Sequence, residues 1–168
     1  AFVMSTIETQ YQHVVNRIHS ACDASGRSRG DVCLLAVSKT KPAEMVEACY
    51  RMGQRSFGEN YLQDGLDKIT ALSHLSDIEW HFIGPLQSNK TRPVANHFQW
   101  LETLDREKIA VRLNEQRPES LPPLNVLIQV NISDEPQKAG IATNDVATFA
   151  QQLQSLPKLK VRGLMCIP

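Results

Sequence analysis

Short uninterrupted runs of apolar residues alternate along this chain with stretches in which apolar residues recur every three or four positions. The first pattern is typical of a strand that is buried on both faces, and the second is typical of one face of a helix. Residues 5–23 are predicted to form the first helix, with Ser5 and Glu8 placed for a capping box. Six strands are predicted, at residues 32–38, 55–59, 79–84, 98–103, 124–132 and 161–167.

A helical pattern lies between each pair of successive strands. Pro42 suits the first turn of one helix, whereas Pro93 falls inside another and should shorten it or move its start. This alternation indicates right-handed βαβ units and a parallel sheet, which is either open or closed into a barrel. The helices after the first are predicted to begin near Pro42, Asn60, Ser88, Asp105 and Asn144.

The composition is that of one globular domain, spanning residues 1–168, with a hydrophobic share of 42%. Lys plus Arg and Asp plus Glu both total 18, so the formal net charge is zero. A broad nucleic-acid interface needs clustered excess basic charge, and a membrane attachment needs a polybasic segment or a long apolar span. We therefore expect neither nucleic acid nor a membrane as a partner.

The four cysteines, Cys22, Cys33, Cys49 and Cys166, form no CxxC pair, and no histidine lies at zinc-ligand spacing from them. They are predicted to be buried, reduced thiols, which is typical of a cytoplasmic protein. The opening residues are too few for a signal peptide, and Met4 is predicted to be the natural start.

Ligand sites of α/β proteins form at the carboxyl ends of the parallel strands, and Lys39 directly follows the first predicted strand. Beside a strand that is buried on both faces, loss of solvation favours the neutral amine, the form that adds to aldehydes. The alternative is a solvated lysine that only closes the strand. This alternative applies more strongly to Lys41, two residues further on.

Two other polar residues lie near strand ends and each allows two interpretations. His81 alternates with Trp80 and Phe82, so it faces the opposite side of its strand from them. It is either a ligand-facing group at the mouth of the sheet or a core histidine with satisfied nitrogens. Asn60 either caps the next helix or donates to a ligand oxygen from the same place. The turn at residues 88–90 either binds an anion or has only a structural role.

Five segments together resemble the pyridoxal phosphate homeostasis protein family, also called the YggS family. They occur in family order across almost the whole chain, and their joint match is specific although each alone is weak. The segments are LAVSKTKP at residues 35–42, FGENY at 57–61, WHFIGPLQSNK at 80–90, VN at 130–131 and RGLM at 162–165.

The resemblance implies a TIM-type (β/α)8 barrel like the barrel domain of alanine racemase. It implies that Lys39 holds pyridoxal 5′-phosphate as an internal aldimine and that Asn60, His81 and Met165 lie toward the cofactor pocket. The family has no established reaction, so the implied role is to bind and buffer the cofactor and to influence the balance of amino acids and keto acids. The alternatives are a pyridoxal-dependent racemase or decarboxylase, whose relatives carry an added β-domain, and an inert scaffold.

A complete barrel of this type has eight strands, whereas six are predicted here, so we expect the barrel to be incomplete at its carboxyl-terminal end. The resemblance implies that the absent part would carry a phosphate cradle and an arginine near the pyridine ring. We expect unpaired strand edges in the six-stranded sheet. A complete barrel would be expected to be a monomer.

Overall fold

A computed structural model describes residues 6–168, which form helices and strands in alternation. The predicted capping box includes Ser5, which lies outside the described residues. The helices are α1 (Thr6–Ala24), α2 (Ala43–Arg51), α3 (Leu62–Ala71), α4 (Thr91–His97), α5 (Glu107–Gln116) and α6 (Val146–Leu153). The strands are β1 (Ala36–Val37), β2 (Ser56–Glu59), β3 (Glu79–Phe82), β4 (Trp100–Leu104), β5 (Leu124–Asn131), β6 (Ile141–Ala142) and β7 (Leu159–Met165).

Six of these strands form one parallel sheet in the order β1-β2-β3-β4-β5-β7. Each successive pair is joined by a helical connection, so the predicted βαβ organisation and the number and order of the six predicted strands are confirmed. The strand β6 was not predicted. It pairs with the end of β5, where Ile141 lies opposite Val130, and two residues are too few to show an alternating pattern.

The helices cover one face of the sheet, which we call the outer face. Phe57, Trp80 and Phe82 point to this face and are at most 5% exposed. They belong to one apolar core with residues of the helices, among them Val46 of α2 and Val94 of α4. Burial of this apolar area against the helices provides the main stabilisation of the sheet.

The opposite side, which we call the inner face, carries Leu35, Gly58, His81 and Trp100. A Cβ at position 58 would lie 3.2 Å from a methyl carbon of Leu35, which places Leu35 on this face. The rings of His81 and Trp100 stack with their centroids 4.9 Å apart. Successive side chains of a strand point to opposite faces, so residues flanking Phe57 and Phe82 lie on the inner face.

The prediction of a first strand at residues 32–38 that is buried on both faces is wrong. Only Ala36 and Val37 pair as a strand, Val37 is 51% exposed and Cys33 is also exposed. The physical reason is that β1 lies at one end of the sheet and pairs only with β2 within the described chain. Cys166 is exposed beyond β7 at the other end, so the prediction of buried thiols is confirmed only for Cys22 and Cys49.

Two helix starts differ from the prediction, whereas the helix that contains Pro93 begins at Thr91 and not at Ser88, as the expected shift of its start allows. Asp105 does not cap α5, whose N-cap is Arg106, because its carboxylate accepts a hydrogen bond from the Gly140 amide at 3.0 Å. Asn144 lies in a 3₁₀ turn that precedes α6. Pro93 is the third residue of α4, in the first turn, where an amide hydrogen is not required for the helical ladder.

Gly84 permits a close backbone contact between the loops that follow β2 and β3. A Cβ at position 84 would lie 2.1 Å from the carbonyl oxygen of Asn60, far inside van der Waals contact. The obstacle is backbone, which cannot rotate away as a side chain can. A glycine at this position therefore allows the backbone of Asn60 to lie where it does.

We predict that Gly84→Ala lowers the free energy of unfolding by about 2 kcal/mol, because a side chain there forces the two loops apart. Gly30→Ala is the matched control, since its Cβ would meet only the Ser28 hydroxyl at 3.9 Å. The control should change stability by less than about 0.5 kcal/mol. Urea denaturation measures both variants, and equal midpoints for the two would contradict the prediction.

Candidate functional site

Three of the predicted site residues come from neighbouring strands at one edge of the sheet. Lys39 lies two residues beyond β1, Asn60 directly follows β2, and His81 lies within β3. Gly58 lies opposite His81 in the parallel pairing of β2 with β3. Met165, in contrast, is the last residue of β7 at the far end of the sheet, and β4 and β5 lie between it and β3.

Lys39 is exposed, which corrects the expectation that its ammonium lies against a strand buried on both faces. Its side chain makes no hydrogen bond or ion pair with any residue from 6 to 168. Leu35 and Val37 lie on the inner face, and Lys39 follows them in the turn beyond β1. The amine is therefore sterically accessible at the carboxyl end of the sheet.

A tight turn holds Lys39. The Ser38 amide donates to the Gly58 carbonyl at 2.9 Å, and the Lys41 amide donates back to the Ser38 carbonyl at 3.1 Å. Thr40 between them adopts φ +62°, in the left-handed region. For a β-branched residue this conformation costs about 1 kcal/mol, so surrounding contacts must stabilise the turn.

A buried group of charges lies directly behind this turn, on the outer face. The Lys68 ammonium is 3.1 Å from both carboxylate oxygens of Glu59 and 3.0 Å from Asp64, and it also donates to the Ser38 carbonyl. The Ser38 hydroxyl donates to Glu59 as well. Glu59 is fully buried and Lys68 is 4% exposed.

The two carboxylates of this group have opposite pKa shifts. Burial raises the pKa of Glu59 above its usual value, although hydrogen bonds from Ser38 and Lys68 oppose that shift. Burial also acts to raise the pKa of Asp64, but the hydrogen bond and charge of Lys68 outweigh it, so the pKa of Asp64 is lowered. The Lys68 amine thus contacts two carboxylates and a backbone carbonyl. The Lys39 amine contacts no such group among the described residues.

His81 is held by two neighbours on β4. Its Nδ1 lies 2.7 Å from a carboxylate oxygen of Glu102, and its ring is nearly parallel to that of Trp100, at an angle of 8°. Because a carboxylate accepts hydrogen bonds, the short contact indicates that Nδ1 carries a proton. The Nε2 atom is buried and has no hydrogen-bond partner among the described residues. Among the described residues, His81 therefore does not have both ring nitrogens satisfied.

Two further buried polar atoms have no hydrogen-bond partner within residues 6–168, Oδ1 of Asn60 and Nε1 of Trp100. Asn60 does not cap α3, whose N-cap is Tyr61. It lines a cleft of about 660 Å³ that also contacts Leu86 and Lys90 in the loop after β3. Buried polar atoms are normally hydrogen-bonded, so these atoms need a partner other than residues 6–168.

The residues at this edge fit pyridoxal 5′-phosphate in their chemistry. The cofactor is a flat aromatic ring with an aldehyde and polar substituents. Lys39 offers a free amine for the aldehyde, while His81 and Asn60 offer unpaired polar atoms for the substituents. No group of His, Cys, Asp and Glu in the described part of the chain is arranged to hold a metal ion.

Sequence reasoning missed several residues of this region. Trp100 and Glu102 were inside a predicted strand, and their two-residue spacing was the signal that they share a face. The guanidinium carbon of Arg162, on β7, lies 5.7 Å from the centre of the Trp100 ring. Lys68 was assigned only to a helix, because nothing in its local sequence shows that Glu59 and Ser38 lie beside it.

Comparison with known proteins agrees with the fold. Residues 12–168 match the family described as alanine racemase, N-terminal domain. The pyridoxal phosphate homeostasis protein of Pseudomonas aeruginosa is 54% identical over 165 residues, covering 98% of this chain and 71% of that protein. The protein of the same name from Escherichia coli K12 is 53% identical over 167 residues, with the same coverage.

The chain belongs to the alanine racemase N-terminal domain family and, within it, to the pyridoxal phosphate homeostasis proteins. The solved structure of PipY of Synechococcus elongatus PCC7942 with pyridoxal phosphate bound is 34% identical to this chain, with a TM-score of 0.76. The match covers 90% of this chain and 70% of PipY.

Alanine racemase of Corynebacterium glutamicum is 13% identical with a TM-score of 0.67, covering 95% of this chain and 43% of that enzyme, which shows the shared fold alone. The sheet of six parallel strands with helices on its outer face is thus part of a TIM-type barrel of the alanine racemase kind. Within residues 6–168 no helix combines the length and the apolar character needed to cross a membrane.

The contact between His81 and Glu102 leads to a prediction about the position of a proton. In the neutral imidazole of His81 we expect the proton on Nδ1, and we expect Glu102→Leu to move it to Nε2 by removing the acceptor. The ¹⁵N chemical shifts of the labelled imidazole report the tautomer directly.

Glu79→Leu is the control variant, because Glu79 is an exposed carboxylate two residues from His81 on the same strand. It should leave the His81 tautomer unchanged. A wild-type protein whose His81 proton is already on Nε2 would contradict the assigned role of Glu102.

Proposed function

We propose that this chain binds pyridoxal 5′-phosphate covalently through Lys39 and functions as a carrier that buffers the cofactor. The observation that carries the proposal is the arrangement on neighbouring strands. The unpaired amine of Lys39 follows β1, and the unpaired polar atoms of Asn60 and His81 lie just after β2 and within β3, which are the next two strands of the sheet.

The cofactor supplies an aldehyde, whose carbon forms a double bond to a primary amine nitrogen as one water molecule leaves. Lys39 is suited to this bond because it is exposed and because no carboxylate among the described residues contacts its amine. Lys68 is not suited, since Glu59 and Asp64 both hold its ammonium. Close relatives named for pyridoxal phosphate homeostasis, and the PipY structure with pyridoxal phosphate bound, support the choice of cofactor.

Three further residues are proposed to contact the cofactor. The hydrogen bond to Glu102 and stacking on Trp100 hold the His81 ring, so its Nε2 is fixed in place before binding. Asn60 presents its amide next to the cleft that follows β2 and β3. Met165, at the carboxyl end of β7, would supply an apolar contact from the other end of the sheet. Side chains that are already held in place before binding lower the entropic cost of binding.

We predict that Lys39→Ala abolishes the visible absorbance that develops when wild-type protein is titrated with pyridoxal phosphate. The variant should remain folded, because an exposed side chain contributes little packing. Lys41→Ala is the matched control, since Lys41 is an exposed lysine two residues away on the same turn. It should retain the absorbance. Equal loss in both variants, or an unfolded Lys39→Ala by circular dichroism, would contradict the proposal.

A non-catalytic role is also part of the proposal. The homologous proteins carry names that describe homeostasis, and the likeness to alanine racemase extends only to the fold. We expect no sustained turnover of amino acids by cofactor-loaded protein. Chiral chromatography of alanine, together with an assay for amine products, tests this expectation. Catalytic turnover that disappears in Lys39→Ala would show instead an enzyme of the racemase or decarboxylase type.

A further inference from the structure

The buried charges behind the Lys39 turn join three separate segments of the chain. Lys68 comes from α3, Glu59 from β2, and Ser38 from the end of β1. The Lys68 ammonium contacts the Glu59 carboxylate and the Ser38 carbonyl at the same time. It is therefore a direct physical link between α3 and the residue that precedes Lys39.

The same helix also holds the other side of the turn. The Thr40 amide donates to a carboxylate oxygen of Asp64 at 3.3 Å, and that same oxygen lies 3.0 Å from Lys68. Lys39 thus lies between two residues whose backbone is bonded to one cluster. Because Thr40 has a left-handed φ of +62°, the turn would relax to other conformations if the cluster did not hold it.

The cluster also lies next to Asn60. Glu59 is the residue before Asn60, and its side chain is fully buried against α3. Gly65 of α3 leaves room for the buried Glu59 side chain, because a Cβ at position 65 would lie 3.2 Å from the Glu59 Cβ. A displacement of Glu59 would therefore move the backbone of Asn60 as well as the turn of Lys39.

We propose that Lys68 is a positioning residue that holds the Ser38–Lys41 turn in the conformation in which Lys39 bonds to the cofactor. This inference rests on the proposed function, because it assigns to Lys39 the bond with pyridoxal phosphate. Lys68 itself does not touch the cofactor in this scheme. It acts through the Ser38 carbonyl and through Asp64.

A purely stabilising role is the competing explanation, because removing one partner of a buried ion pair leaves an unpaired charge and destabilises a protein strongly. A pair of variants separates the two explanations. Lys68→Met leaves Glu59 buried without its partner. The double variant Glu59→Gln, Lys68→Met removes both charges and should recover much of the lost stability, but it does not restore the bond to the Ser38 carbonyl.

The experiment combines two measurements on each variant and on the wild type. Amide hydrogen exchange of Ser38, Thr40 and Lys41, followed by NMR, reports the turn without any cofactor. Titration with pyridoxal phosphate, followed by visible absorbance, reports binding. Urea denaturation gives the stability of each variant, so that both readouts are compared at conditions where the protein is folded.

We expect exchange at Thr40 and Lys41 to become about tenfold faster and cofactor binding to become about tenfold weaker in both Lys68 variants, because a site loses affinity when its support loosens. The control is Arg117→Met, which removes another buried cation. Arg117 bonds to the carbonyls of Ala95 and Phe98, away from the Lys39 turn. It should lower stability and leave turn exchange and binding unchanged.

The inference is wrong if the wild type binds at Lys39 and the double variant binds equally well, or if exchange at Thr40 and Lys41 is the same in all variants. Recovery of binding together with stability in the double variant would show that Lys68 contributes stability alone. Failure of the proposed function is a different result, namely a wild-type protein that forms no bond with the cofactor at Lys39.

Discussion

The parallel pairing of β1, β2 and β3 determines where Lys39, Asn60 and His81 lie relative to one another. Parallel strands present their carboxyl ends at one edge, so chain segments that are far apart in sequence meet there. Ala36 lies opposite Phe57, and Phe57 lies opposite Trp80. This register brings Lys39, Asn60 and His81 together from segments about twenty residues apart. The apolar outer face, packed against the helices, maintains the register.

Because successive side chains of a strand point to opposite faces, the residues that stabilise the sheet and the residues proposed to bind the ligand lie on different faces. Phe57 and Glu59 point to the outer face, where one joins the apolar core and the other binds Lys68. Gly58, between them, lies on the inner face beside Leu35 and Ile83. A slip of one residue would exchange the two faces and place a carboxylate on the inner side. Packing of the outer face therefore fixes which side chains, His81 among them, lie on the inner face.

Much of this arrangement could be predicted from the sequence, because it depends on local pattern. The βα alternation predicted the parallel sheet, and the flanking Trp80 and Phe82 correctly predicted the side on which His81 lies. The position of Lys39 after the first strand was also predicted correctly. These features follow from burial periodicity, which a single sequence displays.

The remaining features depend on contacts between distant residues. Burial of the first strand could not be judged from its apolar run, since exposure depends on which strands flank it in space, and Val37 is 51% exposed. The roles of Lys68 and Glu102 depend on partners 30 and 21 residues away. The unpaired Nε2 of His81 is likewise a three-dimensional property, because it requires knowing that no donor or acceptor within the described chain reaches it.

The most direct measurement of the central claim is to identify the residue that bonds to the cofactor. Protein incubated with pyridoxal phosphate is reduced with borohydride, which makes the bond permanent, and the modified peptide is located by mass spectrometry. The adduct is expected on Lys39, the exposed amine at the end of β1. An adduct found instead on Lys41, Lys90 or Lys138, or no adduct at all, would contradict it.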